Sequence, residues 1–310
     1  MKLVYLSGGV GGARLLAGLD RIMPADSLSV VVNTADDFVH WGLRICPDLD
    51  TIMYTLAGLA HPERGWGLEH ESYEVMARVH ALNGDDWFQL SDQDLATHVR
   101  RSELLSQGQS LTEITAALAS ALGVTRPLLP MTDAEVHTTI CTQDGRSLPF
   151  QHWLVRERAA PIVRQIDLVG TFDDNPAVLS ALEQADAVLL GPSNPYVSID
   201  PILHGFHTHR LICEKPCFAV SPLVHGQAIK GPLAEMMASL TRDAASSQAI
   251  ARHYEERWQL RLHGMMVEVG DRWDNDQIVL HEANTIMKSQ DDRTQLAAVC
   301  LEFIAKELSR

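Results

Sequence analysis

Four aspartates near the N-terminus carry the side chains best suited to binding a metal ion. Asp36 and Asp37 follow an apolar run, and Asp48 and Asp50 come shortly after them. Carboxylates at alternate positions of an extended segment project to the same side, which predicts that Asp48 and Asp50 point together. Two or three such groups near a phosphate could hold Mg²⁺ and neutralise the phosphate oxygens.

Structural roles for the same aspartates stay open from the residues alone. Asp36 could begin a loop, or it could contact a ribose hydroxyl as acidic residues do in dinucleotide folds. Asp50 could cap the N-terminus of a helix that the sequence predicts over Thr51–Leu59.

A glycine-rich loop precedes the aspartates. Residues 7–14 read SGGVGGAR, and they join the apolar run Lys2–Leu6 to a helical pattern. Glycines let a backbone approach an anion closely, and a helix N-terminus presents free N–H groups to it. A dinucleotide fingerprint would need glycine at position 14 and a Walker loop would need lysine there, but the residue is Arg14. The loop therefore predicts a phosphorylated ligand without indicating a nicotinamide cofactor or ATP.

Two later segments could contribute further contacts to a phosphate or a base. In Gly191–Pro195 two prolines fix the backbone while Ser193 and Asn194 offer hydrogen-bonding groups, although the segment could also be an ordinary turn. Lys230 stands just ahead of a predicted helix, where it could meet a phosphate or remain solvated.

Two other features could bind or activate a substrate. Asp94 and His98 are four positions apart on a predicted helix and share a face, as an acid–base pair, as substrate anchors or as a surface ion pair. Trp66 lies between two glycines, where it could stack on a flat ring or pack on the core.

The elements that must position these residues alternate between strand and helix. Apolar, β-rich runs recur and end in polar or glycine–proline turns, with helical patterns between several of them. This alternation predicts an α/β fold with a Rossmann-like, doubly wound, mostly parallel sheet, and ligands bind such sheets beyond the carboxyl ends of the strands. The predicted strands are Leu3–Leu6, Leu28–Val32, Ala187–Leu190 and Cys217–Val220, and predicted helices include Pro176–Gln184 and Pro232–Leu240.

The middle of the chain has a different pattern. Residues 69–122 look helical, including Asp92–Gln107. Val136–Thr142 and Ser147–Val155 alternate like strands around a turn at residues 143–146, which predicts a β-hairpin. We therefore expect one domain over residues 1–310, with an inserted, mainly helical segment at about 62–135 that covers the active site.

Composition and charge exclude several classes of partner. The 310 residues carry a formal net charge of −15, which disfavours nucleic acid as a partner. No apolar run reaches the ~18 residues that a membrane span needs. The chain begins with a strand and not with a secretion signal, and its five cysteines are scattered. We therefore expect a cytoplasmic protein that binds neither nucleic acid nor membrane.

Several longer motifs resemble those of the 2-phospho-L-lactate transferase family, also called CofD-like. They keep their order along nearly the whole chain, and CPDLDTIMYTLAG at 46–58 and GPSNPYVSIDPIL at 191–203 are far more specific than the glycine loop. The other matching segments are 7–19, 33–38, 64–67, 87–100, 129–131, 221–232 and 284–287.

The resemblance implies an Mg²⁺-dependent step in the biosynthesis of coenzyme F-420. The family transfers a phosphorylated three-carbon acid from a guanosine-diphospho-linked donor to the ribityl hydroxyl of the deazaflavin Fo. GMP leaves, and a phosphodiester forms. The acid is 2-phospholactate, phosphoenolpyruvate or 3-phosphoglycerate, and related enzymes differ in this choice. The partners are then Fo and the guanylated acid, and a homodimer is expected.

The resemblance also implies roles for particular residues. Asp36, Asp48 and Asp50 are expected to bind the metal, and Asp36 and Asp50 to be catalytic, with Asp50 orienting or deprotonating the Fo hydroxyl. The expected contacts with Fo are Asp50, Trp66, Gln89 and His98, and those with the guanosine diphosphate part are Gly8, Gly9, Gly11, Gly12, Arg14, Asn33, Ser193, Asn194 and Lys230.

Three positions depart from the usual pattern of that family. Gln89 stands where relatives often have a basic residue, and Ser91 and Asp200 replace glycines. Asp200 is expected to add negative charge near the phosphate site.

Two other functions remain as alternatives. A non-enzymatic, nucleotide-sugar-binding regulator of the same superfamily would share the glycine loop but lack the features at Trp66 and residues 87–100. A nicotinamide oxidoreductase is disfavoured by Arg14.

Overall fold

A parallel sheet of seven strands forms the centre of the computed structural model, which describes residues 1–62, 64–241, 244–275 and 277–310. Its strands are short and apolar, as expected for strands covered on both faces. The described strands are β1 (Leu3–Ser7), β2 (Leu28–Val32), β3 (Phe38–His40), β4 (Leu43–Ile45), β5 (Leu128–Pro130), β6 (Val136–Thr142), β7 (Ser147–Pro149), β8 (Val163–Gly170), β9 (Ala187–Leu190), β10 (Cys217–Val220), β11 (Leu223–Val224), β12 (Gln227–Ala228), β13 (Gly264–Glu268) and β14 (Val279–Ala283).

The described helices occupy most of the remaining chain. None of them is long and apolar enough to cross a membrane. The helices are α1 (Val10–Ile22), α2 (Pro47–Leu56), α3 (Glu74–Ala81), α4 (Asp92–Ser106), α5 (Leu111–Ala121), α6 (Pro176–Gln184), α7 (Asp200–Leu203), α8 (Phe206–Cys213), α9 (Leu233–Leu240), α10 (Ser247–Trp258) and α11 (Gln290–Leu308), with single π-helical turns at His152–Arg156 and Pro195–Ile199 and a 3₁₀ turn at Ala25–Ser27.

The strand order places a reversal of winding next to β1. The order across the sheet is β14-β13-β10-β9-β1-β2-β5. The chain therefore first adds β2 and β5 on one side of β1, and then adds β9, β10, β13 and β14 on the other side. Ser7 lies opposite Val32, and Leu6 lies opposite Leu190. Such a reversal opens a crevice at the carboxyl ends of the two central strands. The loops after β1 and β9 meet there, which confirms the predicted doubly wound fold.

Alternate side chains of β1 enter two hydrophobic cores on opposite faces of the sheet. Leu3 and Tyr5 belong to the core that includes α1, α2 and α11. Val4 and Leu6 belong to the core that includes α6, α8 and α10. Because both faces are buried, the sheet holds its carboxyl edge rigidly for the loops that follow.

Additional elements lie outside the central sheet. Helices α3, α4 and α5 fall in the predicted insertion, while β5 near its end joins the edge of the central sheet beside β2. The single-domain division and the bounds of the insertion stay predictions, and residue 63 lies outside the described residues. Among the described residues, three small antiparallel sheets also lie outside the central sheet, namely β3–β4, β7–β6–β8 and β11–β12.

The predicted strand Ser147–Val155 is wrong beyond Pro149. The chain turns into a π-helix at His152–Arg156 instead. This turn buries Trp153, whose indole Nε1 donates a hydrogen bond to the Pro161 carbonyl at 2.8 Å. A short apolar run has the same composition in either conformation, so the sequence could not separate them.

Candidate active site

Two clefts meet at the carboxyl edge of the sheet. The switch-point cleft, about 400 Å³, is lined by the loops after β1 and β9 and by Lys230. The aromatic cleft, about 460 Å³, is lined by α2, by residues 87–89 and by α4. Gly9, Asp48 and Trp66 line both clefts. A molecule in one cleft can therefore reach a molecule in the other beside Asp48.

The glycine loop packs so tightly against its neighbours that side chains would not fit. A Cβ at Gly9 would lie 2.5 Å from Asp48 Oδ1, and one at Gly11 would lie 2.4 Å from the Pro192 carbonyl oxygen. The backbone N–H of Gly8 donates to Ser193 Oγ at 3.0 Å. Because α1 begins directly after Gly9, its first N–H groups have no intrahelical partner and face this cleft.

Asp36 and Asp48 form a carboxylate pair on the wall of the switch-point cleft. Asn33 Nδ2 donates to Asp48 Oδ2 at 3.0 Å, whereas buried Asp36 Oδ1 has no hydrogen-bond partner among the described residues. Burial and the charge of Asp48 raise the pKa of Asp36 well above its usual value. Burial raises the pKa of Asp48 to about 6, although hydrogen bonds from Asn33 and Gly9 oppose the shift. Neighbouring carboxylates with an unpaired oxygen fit a divalent cation.

Asp50 points away from this pair, because it lies in a helix and not in an extended segment. Helix α2 begins at Pro47, a favoured first residue, so Asp48 and Asp50 diverge around the helix axis. The prediction that they project to the same side is wrong, as is a capping role for Asp50. Both oxygens of Asp50 accept hydrogen bonds from the Arg101 guanidinium, with 3.0 Å from Nη1 to Oδ2. This geometry favours Asp36 and Asp48 over Asp50 as metal ligands.

A buried polar network connects Asp50 with α4 beneath the aromatic cleft. His98 lies 3.6 Å from Asp50 through Nδ1 and 3.2 Å from Asp94 through Nε2. Tyr54 Oη donates to Asp94 Oδ1 at 2.6 Å. Burial opposes ionisation of Asp94, but its hydrogen bonds with His98 and Tyr54 bring its pKa below the usual value. Ligand atoms of Asp50, Asp94 and His98 lie within 4.8 Å of one another, but Arg101 already neutralises Asp50.

Aromatic rings form the walls of the aromatic cleft. The rings of Trp87 and Phe88 lie 5.6 Å apart, and Phe38 of β3 packs against both. Trp66, 40% exposed, completes the lining on the side shared with the switch-point cleft. Flat apolar walls with a few polar groups suit a planar, conjugated ligand.

The predicted Fo contacts all lie at the aromatic cleft. Trp66 and Gln89 are accessible there, while His98 and Asp50 are buried at its base. Ser91, one of the unusual positions, caps α4 by accepting a hydrogen bond from the Asp94 N–H at 3.1 Å. Its replacement of glycine therefore has a structural explanation.

The predicted nucleotide contacts divide into lining residues and supporting residues. Lys230 Nζ also donates to the Arg64 carbonyl at 2.5 Å, and burial and the nearby charge of Arg14 lower the pKa of Lys230. Asn194 Oδ1 accepts from the Tyr196 N–H at 3.0 Å and so caps the π-helical turn. The lining residues are Gly9, Gly11, Arg14, Ser193, Asn194 and Lys230, and the residues behind them are Gly8, Gly12 and Asn33.

Asp200 adds no charge to the switch-point cleft, so that expectation is wrong. The π-helical turn Pro195–Ile199 carries the chain away before Asp200 is reached. The Asp200 carboxylate accepts a hydrogen bond from Trp258 Nε1 at 2.7 Å and lies 2.9 Å from His253 Nε2, in a separate cavity.

Tyr54, Arg101 and the ring pair Trp87 and Phe88 were not predicted individually as site residues. Adjacent tryptophan and phenylalanine just before a helix cap were a usable signal, because large rings outside regular elements often serve binding. Arg101 gave no such signal, since its partner Asp50 is 51 positions away.

The fold and the site together define a doubly wound α/β protein with two clefts at the carboxyl edge of its sheet. The glycine loop, the carboxylate pair and the second, aromatic cleft are the features that distinguish it. The family described as 2-phospho-L-lactate transferase CofD matches residues 3–307. The chain belongs to this CofD family of transferases, which act in coenzyme F-420 biosynthesis.

Sequence relatives agree with this assignment, and a solved structure shares the fold. A phosphoenolpyruvate transferase of Thermobifida fusca is 37% identical, with 99% of each chain covered. A 2-phospho-L-lactate transferase of Methanosarcina mazei is 34% identical over 97% of this chain and 99% of its own. A UPF0052-family protein of Bacillus halodurans shares the fold, with a TM-score of 0.65 at 13% identity over 97% of this chain and 98% of its own.

Proposed function

We propose that this protein transfers a phosphorylated three-carbon acid from a guanosine-diphospho-linked donor to the ribityl hydroxyl of Fo. The observation that carries the proposal is the meeting of the two clefts at Asp48, one suited to phosphates and the other to a planar ring system. Relatives named for phospholactate and for phosphoenolpyruvate support this substrate class. The acid is therefore proposed as 2-phospholactate, phosphoenolpyruvate or 3-phosphoglycerate.

The donor is assigned to the switch-point cleft. Its diphosphate lies against the N-terminus of α1, where unpaired backbone N–H groups favour anions. Arg14 and Lys230 line the same cleft and supply positive charge in a chain whose formal net charge is −15. Ser193 and Asn194 form the opposite wall. These groups hold the donor through its nucleotide and leave the acid-bearing phosphorus toward Asp48.

Mg²⁺ is proposed at Asp36 and Asp48. The fit rests on the unpaired Asp36 oxygen and on two carboxyl groups whose pKa values are raised, by burial at both residues and also by the charge of Asp48 at Asp36. When bound, the ion neutralises diphosphate oxygens and so stabilises the departing phosphate. Asn33 orients Asp48 for this role through its 3.0 Å hydrogen bond.

The acceptor is assigned to the aromatic cleft, with its ring system between Trp66 and the Trp87–Phe88 pair. Its ribityl hydroxyl oxygen forms a bond to the phosphorus that bears the acid, and the bond from that phosphorus to the bridging oxygen breaks. GMP leaves with that oxygen. The hydroxyl proton passes to Asp50, which Arg101 and His98 hold in place. Catalysis then rests mainly on positioning and on charge stabilisation.

The regulator alternative does not account for the second cleft. A protein that binds only a nucleotide or nucleotide sugar has no use for a ring-lined cavity of about 460 Å³ that opens beside Asp48. The aromatic cleft therefore favours the enzyme.

The test combines binding with product analysis. The purified protein is titrated with Fo by fluorescence and then incubated with Fo, Mg²⁺ and each guanylated acid in turn. Mass spectrometry is expected to detect one phosphodiester product together with GMP. Fo binding without any product would contradict the proposed transfer activity. An absence of Fo binding would favour the alternative function, a nucleotide-sugar-binding regulator.

A further inference from the structure

A further cavity of about 250 Å³ lies behind the glycine loop. It is lined by α1, by the C-terminal end of α2 with the segment that follows it, and by the first turn of α11. Arg14 lines both this cavity and the switch-point cleft, whereas Arg293 lines only this one. The other polar groups on its wall are Thr55, His61, Glu69 and Gln290.

Two arginines share this cavity without acidic partners. Arg14 Nη1 donates to the Met287 carbonyl at 3.1 Å, and Arg293 Nη1 donates to Gln290 Oε1 at 3.3 Å. Both acceptors are uncharged, and neither guanidinium forms an ion pair within the described part of the chain. Burial and the nearby charge of Arg14 lower the pKa of Arg293. The two cations are therefore close enough to repel each other.

Each of these arginines also has a buried donor that is left unused. The Nε atoms of Arg14 and Arg293 are both buried with no hydrogen-bond partner among the described residues. A buried donor without an acceptor costs free energy, and a ligand that accepts from it recovers that cost. Guanidinium groups bind phosphate oxygens through paired, charge-assisted hydrogen bonds.

We propose that the Arg14–Arg293 cavity binds a small anion of the phosphate class, separate from the phosphates of the donor nucleotide. The cavity is several times larger than the ~30 Å³ that one water occupies in the liquid, so an anion with several oxygens fits. Because Arg14 also lines the switch-point cleft, an anion held here offsets the positive charge that Arg14 presents to the nucleotide. A bound anion is therefore expected to weaken binding of the donor nucleotide.

The test titrates inorganic phosphate into the full-length protein by calorimetry, with GDP and Mg²⁺ at saturation. Under the proposed function GDP occupies the switch-point cleft, so the Arg14–Arg293 cavity is the site that remains for phosphate. Arg293→Gln is expected to weaken phosphate binding at least tenfold and to change GDP affinity less than twofold, because Arg293 does not line the nucleotide cleft. Arg310→Gln, two residues beyond the C-terminal end of α11 and paired with Glu307, is the matched control.

Arg293→Lys keeps the positive charge and is expected to retain part of the phosphate affinity. The melting temperature of each variant shows whether a loss of binding reflects unfolding. Equal phosphate affinity in the wild type and in Arg293→Gln would overturn the proposal, as would undetectable binding to the wild type. A parallel loss of GDP affinity would place Arg293 in the donor site and likewise overturn it. Failure of GDP to bind at all would contradict the proposed function alone, and the comparison is then made without GDP.

Discussion

Asp48 stands where the two clefts join, and its surroundings determine what it can do. It is half-buried, receives a hydrogen bond from Asn33 and lies next to a second carboxylate at Asp36. In the absence of a cation this arrangement opposes ionisation. At the residue scale, the buried, neighbouring carboxylates that make the site electrostatically costly are also the groups that the proposed Mg²⁺ would neutralise.

Asp48→Asn is expected to lower transfer by at least ~100-fold while keeping the fold, because it removes a proposed metal ligand and a like charge together. The melting temperature at pH 7 to 8 without Mg²⁺ should stay the same or rise, since Asp36 loses its repulsive neighbour. Transfer is measured by GMP release, and stability by thermal unfolding. Asp274→Asn, at an exposed position that lines neither cleft, is the control and should leave both measurements unchanged. Unaltered turnover in the Asp48 variant would contradict its role.

Magnesium affinity should rise with pH. The folded protein holds the pKa of Asp48 at about 6 and that of Asp36 well above its usual value, and the metal binds only the ionised carboxylates. Between pH 5.5 and 7.5, ~100-fold tighter binding is the upper limit for one released proton. Calorimetry in two buffers with different ionisation enthalpies measures that proton release directly. Affinity that does not depend on pH would place the ion elsewhere.

The same pKa shift predicts a fall in stability as pH rises without the metal. The folded state binds more protons than the unfolded chain between the ordinary aspartate pKa and about 6. The stabilising contribution is therefore fully present below that window and is lost as pH rises through it.

Trp66→Ala should weaken Fo binding by roughly 5- to 10-fold, the equivalent of about 1–1.5 kcal/mol of ring stacking. Because the side chain is 40% exposed, the melting temperature should change little. Fluorescence titration with Fo measures the affinity. Trp273→Ala is the matched control, since that tryptophan lines neither cleft among the described residues. Equal Fo affinity in Trp66→Ala and the wild type would remove Trp66 from the acceptor site.

At the scale of elements, the Asp50–Arg101 pair ties α2 to α4. Both side chains are buried, with Asp50 at 4% and Arg101 at 2% exposure, so removing one partner leaves an unpaired buried charge. The ion pair therefore fixes the position of α2, which carries Asp48, relative to α4, which forms the base of the aromatic cleft. This pair gives Asp50 a structural role beside its proposed catalytic one.

Arg101→Met should cost about 3–5 kcal/mol of unfolding free energy. Arg100→Gln, one residue earlier, breaks only an exposed pair with Glu103 and should cost less than ~1 kcal/mol. Urea unfolding followed by circular dichroism measures both. Equal effects in the two variants would contradict the structural role of the buried pair.

Periodicity in the sequence predicted the main elements correctly because burial on both faces leaves a strong apolar signature. Strands β2, β9 and β10 have the predicted bounds, and α6 does as well. The errors lie where local pattern is ambiguous. Residues 147–155 could be strand or helical turn, and Pro47 allowed α2 to begin before Asp48, which reoriented Asp50.

The sequence predicted which loops form the site, but it did not predict the side-chain contacts between residues far apart in the chain. A glycine loop after a strand and a proline-fixed loop after another strand belong at one edge of a parallel sheet on general grounds. The contact between Asp50 and Arg101 depends on how α4 docks, and no short-range pattern encodes that docking. Asp200 was misplaced for the same reason, since its partner His253 lies in α10.

At the scale of the whole molecule, binding of a nucleotide at the switch point should stabilise both halves of the sheet together. GDP with Mg²⁺ at one hundred times its dissociation constant is expected to add about 2.7 kcal/mol to the unfolding free energy. Thermal or urea unfolding with and without the ligand measures this. The Asp48→Asn variant should lose most of the Mg²⁺-dependent part, and an equal gain in that variant would argue against a metal-linked donor site.

The strand order also has a consequence for how the chain is made. β1 leaves the ribosome first, but its neighbour β9, which begins at Ala187, follows 184 positions after Leu3. At about 5–20 residues per second, one edge of β1 waits roughly ten to forty seconds for its partner. During that interval the nascent chain presents an apolar, unpaired strand edge, so early chaperone protection should govern its yield in cells.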